Sequence, residues 1–257
     1  MTKTFFLFIL STLLLSQQNF AQQSIQGKGK FIKVSYLAIP TSQYQIPASS
    51  VGKAQTTDPD QLLAASYKYY YTLLINPETQ QSIYKIDSFV NRDKPANMKN
   101  INYQVNDSLA YVVKHTENKF VKFESVFNRN FYSEGTSADL SWNLTDNVKT
   151  IYGMKSREAK PQNKNFLMNV WFTNDVAISS GPGIFINLPG LVVRAEDFFW
   201  TTEIEKIEYV NIPDWDKVIE LHLAQHEKNK KGNAIVEKQL LLEKSNLIKS
   251  MIQMMNN

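Results

Sequence analysis

Between Ser24 and Val210 the chain is made of short apolar stretches, eight to fifteen residues apart, separated by polar turns. Ser24 to Ile39 alternates loosely enough for one or two strands. Tyr67, Tyr69, Tyr71 and Leu73 fall on one face of a strand, and Asn76-Pro77-Glu78-Thr79 turns it into a hairpin partner, Ser82 to Asp87. Further strands are expected at Leu109 to Val113, Phe120 to Phe127, Leu140-x-Trp142-x-Leu144, Phe166 to Phe172, Leu191 to Arg194 and Thr202 to Val210. With no long helical pattern between them, these strands predict an antiparallel sheet or open barrel rather than a βαβ architecture. After Ile212-Pro213 the period changes to that of a helix. Asp214 is expected as an N-cap, and Trp215, Val218, Ile219 and Leu223 lie on one helix face. Gly232-Asn233 interrupts, and Val236, Leu240, Leu241, Leu247, Ile248, Met251, Ile252 and Met255 lie on another. The fold class is mainly β (α+β): a single curved antiparallel sheet or open half-barrel with C-terminal helices packed against it.

One stretch breaks the rule that turns are polar. Ser179 to Val193 holds three of the nine glycines and two of the nine prolines, yet it is otherwise apolar. Pro182 and Pro189 fix φ and push Gly181 and Leu188 toward extended backbone, and Gly183 and Gly190 are then expected to take φ above zero. The chain bends twice. Between the bends, Ile184, Phe185, Ile186 and Leu188 have little polar capacity and are expected in a core. Leu191-Val192-Val193 then starts a strand.

The pattern Gly181-Pro182-Gly183-x-Phe185-x-Asn187-Leu188-Pro189-Gly190-Leu191-Val192, preceded by Val170-Trp171-Phe172-Thr173, resembles the GLPGLI family of secreted Bacteroidetes proteins. The family's first signature Gly is Asn187 here and its Ile is Val192. Asn is the next most tolerant residue in left-handed backbone, and Val keeps the β-branch. The match covers Phe166 to Asp197 and implies a cell-envelope location with no established reaction. The expected sheet also resembles the periplasmic lipoprotein-carrier half-barrel, a likeness of fold that brings no function with it.

Location has its own signal. Lys3, the apolar run Phe5 to Leu15 and the segment ending at Ala21 read as a secretory signal peptide over residues 1–21, with Gln22 opening a single domain over 22–257. The run is short for a membrane anchor, the competing reading. No second stretch has the length of a transmembrane span. The chain has no cysteine, which excludes disulfides, thiolate catalysis, Cys-ligated metals and lipid attachment through an N-terminal Cys. A formal charge of +4, spread along the sequence, is not the clustered basic footprint that nucleic acid requires.

Sites for chemistry are few. His222 and His226 have helical i, i+4 spacing, but Leu223 stands where a metalloprotease has its Glu, and the segment continues as a charged, wet face. His115 sits alone at a strand end and reads as structural. Glu196-Asp197 follows the signature; one of the pair is expected to cap or to meet Arg194, and the alternative is a hydrolase using Glu196 or Asp197. Ser179-Ser180 lacks a nucleophile elbow, and the glycines lack a phosphate loop's Lys-Ser/Thr. No cofactor or metal is expected. The aromatics serve a β core, or else Tyr69, Tyr71, Phe123, Trp142 and Trp171 line a pocket for a lipid, a peptide or another apolar or amphipathic ligand. The leading expectation is a non-enzymatic binding or carrier module, periplasmic or secreted. The alternative is a structural or interaction protein that meets an outer-membrane partner through the polar Thr41 to Asp60 loop.

Overall fold

The structure is a computed structural model, and it describes residues 31–40, 67–91, 111–126, 129–197, 200–230 and 234–255. The expected signal peptide, the start of the first strand, the Thr41 to Asp60 loop, the Asn91 to Asn106 connection beyond Asn91 itself, Leu109, Phe127 and Gly232-Asn233 lie outside these residues. Among the described residues eleven strands precede the first α-helix: β1 (Phe31–Pro40), β2 (Tyr67–Ile75), β3 (Ser82–Asn91), β4 (Tyr111–Lys114), β5 (Lys119–Val126), β6 (Arg129–Thr136), β7 (Trp142–Ile151), β8 (Met154–Pro161), β9 (Asn169–Thr173), β10 (Leu191–Glu196) and β11 (Trp200–Val210). Helix α1 (Trp215–Asn229), a three-residue strand β12 (Ala234–Val236) and helix α2 (Glu237–Met255) follow.

Among the described residues the strands form one open sheet in the order β12-β6-β5-β4-β3-β2-β1-β11-β10-β9-β8-β7. The protein is therefore mostly β with two C-terminal helices. The pairings are antiparallel except at one edge, where β12 runs parallel to β6 with Ala234 opposite Tyr132. That edge corrects the wholly antiparallel expectation, and it places Val236 in a strand rather than on the helix face.

In β1 and β2 the expected pattern and the structure coincide, whereas the strand expected from Leu140 starts at Trp142 and leaves Leu144 exposed. Tyr69, Tyr71 and Leu73 are buried, and Ile32, Val34, Tyr36 and Ala38 of β1 alternate with less buried neighbours. β6 and β8 are additions to the expected strands. Their buried positions include Ser133, Ser156 and Glu158, so no apolar alternation marks them. Helix α1 also starts differently. Asp214 has left-handed backbone (φ 53°, ψ 44°) and makes no side-chain cap bond; only its carbonyl joins the helix, accepting from Val218 N–H at 3.1 Å.

The helices use different anchors. In α1, Trp215 packs its ring 4.9 Å from that of Phe31 and donates its indole N–H to Gln81 at 2.7 Å. With Ile219 it covers Ile83, Val113 and Val121. In α2, Glu237 is wholly buried and accepts from Lys122 of β5 and Ser133 of β6, each at 2.5 Å. Lys122 also meets Glu124 at 2.7 Å, and Lys244 of α2 meets Glu124 at 2.8 Å. The four charges alternate in sign. A buried carboxylate in such a network is strongly disfavoured if one partner is removed.

Burial alone would raise the Glu124 carboxyl, but Lys122 and Lys244 outweigh it and hold the group down at about 2, against an ordinary value of 4.5. A depressed carboxylate contributes stability above its unfolded value and loses it as pH falls through the folded one. The urea midpoint should therefore fall between pH 4.5 and about 2, and Glu124→Gln should flatten that stretch of the profile. Glu237→Ala, which removes one of the two carboxylates that Lys122 meets and the acceptor of the Ser133 hydroxyl, should cost about 1–3 kcal/mol in a urea melt.

Candidate functional site

Residues 174–190 join β9 to β10 and form the doubly bent segment. Gly183 (φ 63°) and Asn187 (φ 65°) occupy left-handed backbone, so the Asn in the signature's first position stands where a glycine is at ease. Gly190 does not have a positive φ, which corrects the expectation that it turns the chain by left-handed geometry. Its constraint is space. A Cβ on Gly190 would lie 2.0 Å from the Thr173 carbonyl oxygen, and one on Gly181 would lie 2.5 Å from that of Phe185 and 2.6 Å from Val192 Cβ.

The close approach has a backbone cause. Leu191 N–H donates to Val176 O at 3.0 Å and Val192 N–H to Ser180 O at 2.9 Å, so the outgoing strand is drawn against the start of its own loop. Ile186 and Leu188 are buried, while Ile184 and Phe185 are half-buried and pack against the core. Asn187 and Pro189 face solvent. This is the packed, apolar bend the sequence predicts.

Distant strands supply donors to the segment's carbonyls. Trp142 of β7 donates its indole N–H to Ile186 O at 2.8 Å, Tyr36 of β1 donates its hydroxyl to Val192 O at 2.6 Å, and Lys114 of β4 donates to Ser179 O at 3.1 Å. The Ser179 hydroxyl accepts from Asn187 N–H at 3.1 Å, and Ser180 and Ser82 hydroxyls meet at 3.4 Å. Burial pushes the Tyr36 and Tyr84 phenols up. It pushes the Lys114 ammonium down, with Glu117 pulling the other way. Lys114 and Tyr36 are the functional partners that sequence reasoning missed. The available signal was a lysine directly after the apolar pair Val112-Val113 in a short strand.

Of the five aromatics expected to line a pocket, Tyr69 and Tyr71 lie in one core cluster with Trp171 packed against it, Trp142 lies in a second, and Phe123 lies apart from both. Tyr69 packs edge-on to Trp200 with centroids 4.8 Å apart, and Tyr71 stacks on Tyr84 at 4.8 Å, both inside the largest core cluster. Trp142 belongs to a second cluster, over Phe185. Trp171 lies under the Lys149 ammonium, 3.8 Å from its ring centre, with a buried indole N–H that has no hydrogen-bond partner. Phe123 is elsewhere, stacked between Tyr111 (5.6 Å) and Tyr132 (4.8 Å) beside His226.

The polar candidates are also in structural use. Arg194 reaches Glu196 at 2.5 Å and Glu203 at 2.7 Å, and Asp197 accepts from the Trp200 backbone N–H at 2.7 Å. His115 follows β4, where its carbonyl accepts from Gln81 at 3.0 Å; burial lowers its imidazole, and Lys119 adds to that. His222 faces the Val218 carbonyl at 2.8 Å. His226 is wholly buried, with Nδ1 3.1 Å from the Tyr111 hydroxyl, which corrects the reading of this pair as a wet face. Burial lowers the His226 imidazole. Among the described residues no group of three or more His, Asp or Glu side chains is placed to hold a metal ion. None of the described helices is long and apolar enough to cross a membrane.

No family model matches this chain, and no curated protein does. Among solved structures it is similar to PNGF-II in two crystal forms at 14% identity and a TM-score of 0.44. The matches cover 74% of this chain and 30% of PNGF-II in space group P21, and 84% and 33% in C2. The chain thus spans about a third of the length of that protein. It is also similar to an uncharacterized conserved protein from Thermus thermophilus, at 7% identity and a TM-score of 0.34 over 86% of this chain and 99% of that one.

Two alanine substitutions separate the two kinds of glycine. Gly183→Ala meets nothing within 4 Å but keeps φ 63°, so it should cost about 1 kcal/mol in a urea melt. Gly190→Ala should cost about 3 kcal/mol or more, because the clash is with backbone that cannot swing away.

Proposed function

We propose that this chain is an exported cell-envelope protein of the GLPGLI type, a non-enzymatic interaction module whose sheet curls into an open half-barrel filled by its own signature loop and α2. The observation that carries this reading is where the polar groups of the loop, of β10 and of the residue after it go. The carbonyls of Ser179, Ile186 and Val192 are taken by Lys114, Trp142 and Tyr36, and Glu196 and Asp197 are held by Arg194 and the Trp200 N–H. A reactive site needs groups aimed at a substrate, and these are aimed at the fold.

Adjacent residues of α2 support the curl. Lys244 reaches Glu124 on β5, and Ser245 donates to the Asn165 carbonyl, between β8 and β9, at 2.6 Å. In the sheet order β5 and β9 are seven strands apart. A flat sheet would separate them by about 34 Å at about 4.8 Å per strand, far beyond two neighbouring side chains. The loop spans the same gap, tying Lys114 of β4 to Trp142 of β7.

With Tyr69, Tyr71 and Trp142 enclosed in the core, the interior is occupied, and an outward-facing role is favoured over that of a carrier. A carrier for an apolar or amphipathic ligand is the second reading, and Trp171 favours it through its half-buried ring and unpartnered indole N–H.

Mass spectrometry of the protein purified from the cell envelope tests both readings. The interaction reading expects an N-terminus at Gln22 and no small apolar molecule in stoichiometric amount. A retained N-terminus at Met1 would overturn the exported reading, and a stoichiometric lipid would favour the carrier.

A further inference from the structure

The β7–β8 hairpin ends the sheet and combines features found together nowhere else among the described residues. Its exposed side chains include Leu144, Val148 and Tyr152, which are 43%, 50% and 51% exposed. Tyr152 and Gly153 both have left-handed backbone (φ 50° and 73°), the signature of a tight two-residue turn, so Tyr152 stands at the apex. Met154 to Lys164 carries Lys155, Arg157, Lys160 and Lys164 against one acid, Glu158. Glu158 is buried and accepts from Thr145, Asn147 and Asn169. A surplus of three positive charges thus sits in eleven residues of a chain whose formal charge is +4. Asp146 offsets part of it through a loose 3.6 Å contact with Arg157, fully exposed on the acidic side.

The strand's outer edge has no strand partner among the described residues. Adding a further strand there is nevertheless opposed by an irregularity, because the pairing to β8 jumps from Leu144↔Ala159 to Val148↔Arg157. Thr145 and Asn147 pin the extra residues to Glu158. A bulged edge is a poor template for strand pairing, so the complement of this hairpin is a surface. An aromatic residue at an exposed apex, with exposed Val148 on one strand and Lys155 and Arg157 on the other, matches the boundary between lipid headgroups and acyl chains.

We propose that the β7–β8 hairpin docks this protein on an anionic lipid bilayer, with Tyr152 and Val148 entering the interface and Lys155 and Arg157 meeting lipid phosphates. This deepens the interaction reading by naming its partner, yet it stands on the hairpin alone: its failure leaves the exported, filled half-barrel untouched.

Co-sedimentation of the purified protein with vesicles tests it. Binding to vesicles of about one part phosphatidylglycerol to two of phosphatidylcholine should exceed binding to pure phosphatidylcholine by about tenfold or more. It should be largely lost at about 0.5 M salt. Lys155→Glu with Arg157→Glu should abolish the preference for anionic vesicles. Val148→Thr with Tyr152→Asn should weaken binding by about tenfold while keeping the β-branch and a residue suited to left-handed backbone; an unchanged urea midpoint shows that each variant still folds. Equal binding to neutral vesicles, or binding unaffected by both pairs, overturns the proposal. So does tight capture of a polyglutamate peptide with vesicles inert, which would assign the surface to an acidic protein. Self-association through the hairpin in light scattering, with vesicles inert, overturns it as well.

Discussion

The contact on which the rest of this molecule depends is the approach of Gly190 to the Thr173 carbonyl. The loop leaves β9 at Thr173 and returns as β10 at Leu191, and Leu191 N–H bonds to Val176 O only because nothing stands on the α-carbon before it. That junction fixes where the loop lies, and the loop in turn fixes what covers the sheet: Ile186 and Leu188 are buried only from this position. Gly181 repeats the constraint at the other end, against Phe185 O and Val192. The segment is held closed at both ends by the absence of side chains, and a hydrophobic filling follows from the closure.

The second organising element is charged. α2 has apolar contacts through Leu240, Leu241 and Ile248, but apolar burial alone does not fix how a helix is rotated or displaced along its axis. Glu237 does, because a buried carboxylate group is tolerated only where partners such as Lys122 and Ser133 point at it. Gly135 belongs to the same arrangement: a Cβ there would meet the Phe120 ring at 2.5 Å and Glu237 Cβ at 2.8 Å. A short parallel strand, β12, leads into the helix just before this buried start.

Legibility in the sequence divides along the same physical line. Strands whose buried face is apolar, such as β2 with Tyr69, Tyr71 and Leu73, are read directly from alternation, and so is the turn into β3. β6 and β8 are not, since Ser133 and Glu158 are buried polar groups made tolerable by partners on other elements, Glu237 for the first and Thr145, Asn147 and Asn169 on the neighbouring strands for the second. Left-handed backbone at Gly183 and Asn187 follows from local chemistry. The role of Gly190 does not, because it depends on a carbonyl seventeen positions earlier being folded against it. The same holds for Lys114 and Tyr36: a side chain that serves another segment's backbone leaves no periodic mark of its own. The aromatics mark a further limit, since one strand parity does not tell a filled face from an open one, and Tyr69 and Tyr71 are buried in a core cluster.

The loop's hydrogen bonds also bear on whether anything else can enter. Its Ser179 and Ile186 carbonyls draw donors from β4 and β7, the fourth and twelfth strands of the sheet order, and the Val192 carbonyl just beyond it in β10 draws one from β1, the seventh. A guest taking the loop's place would leave the Ser179 and Ile186 carbonyls and their donors Lys114 and Trp142 without partners, at about 1–3 kcal/mol for each buried group stranded. It would also expose Ile186 and Leu188, at about 1.5–3 kcal/mol apiece. Such a guest must return comparable interactions within a space the chain already packs, whereas a partner on the outer hairpin displaces nothing. Under the proposed reading, the bend that gives the chain its most distinctive sequence therefore acts by shape, and contact with the surroundings falls to the edge where apolar and basic side chains are exposed.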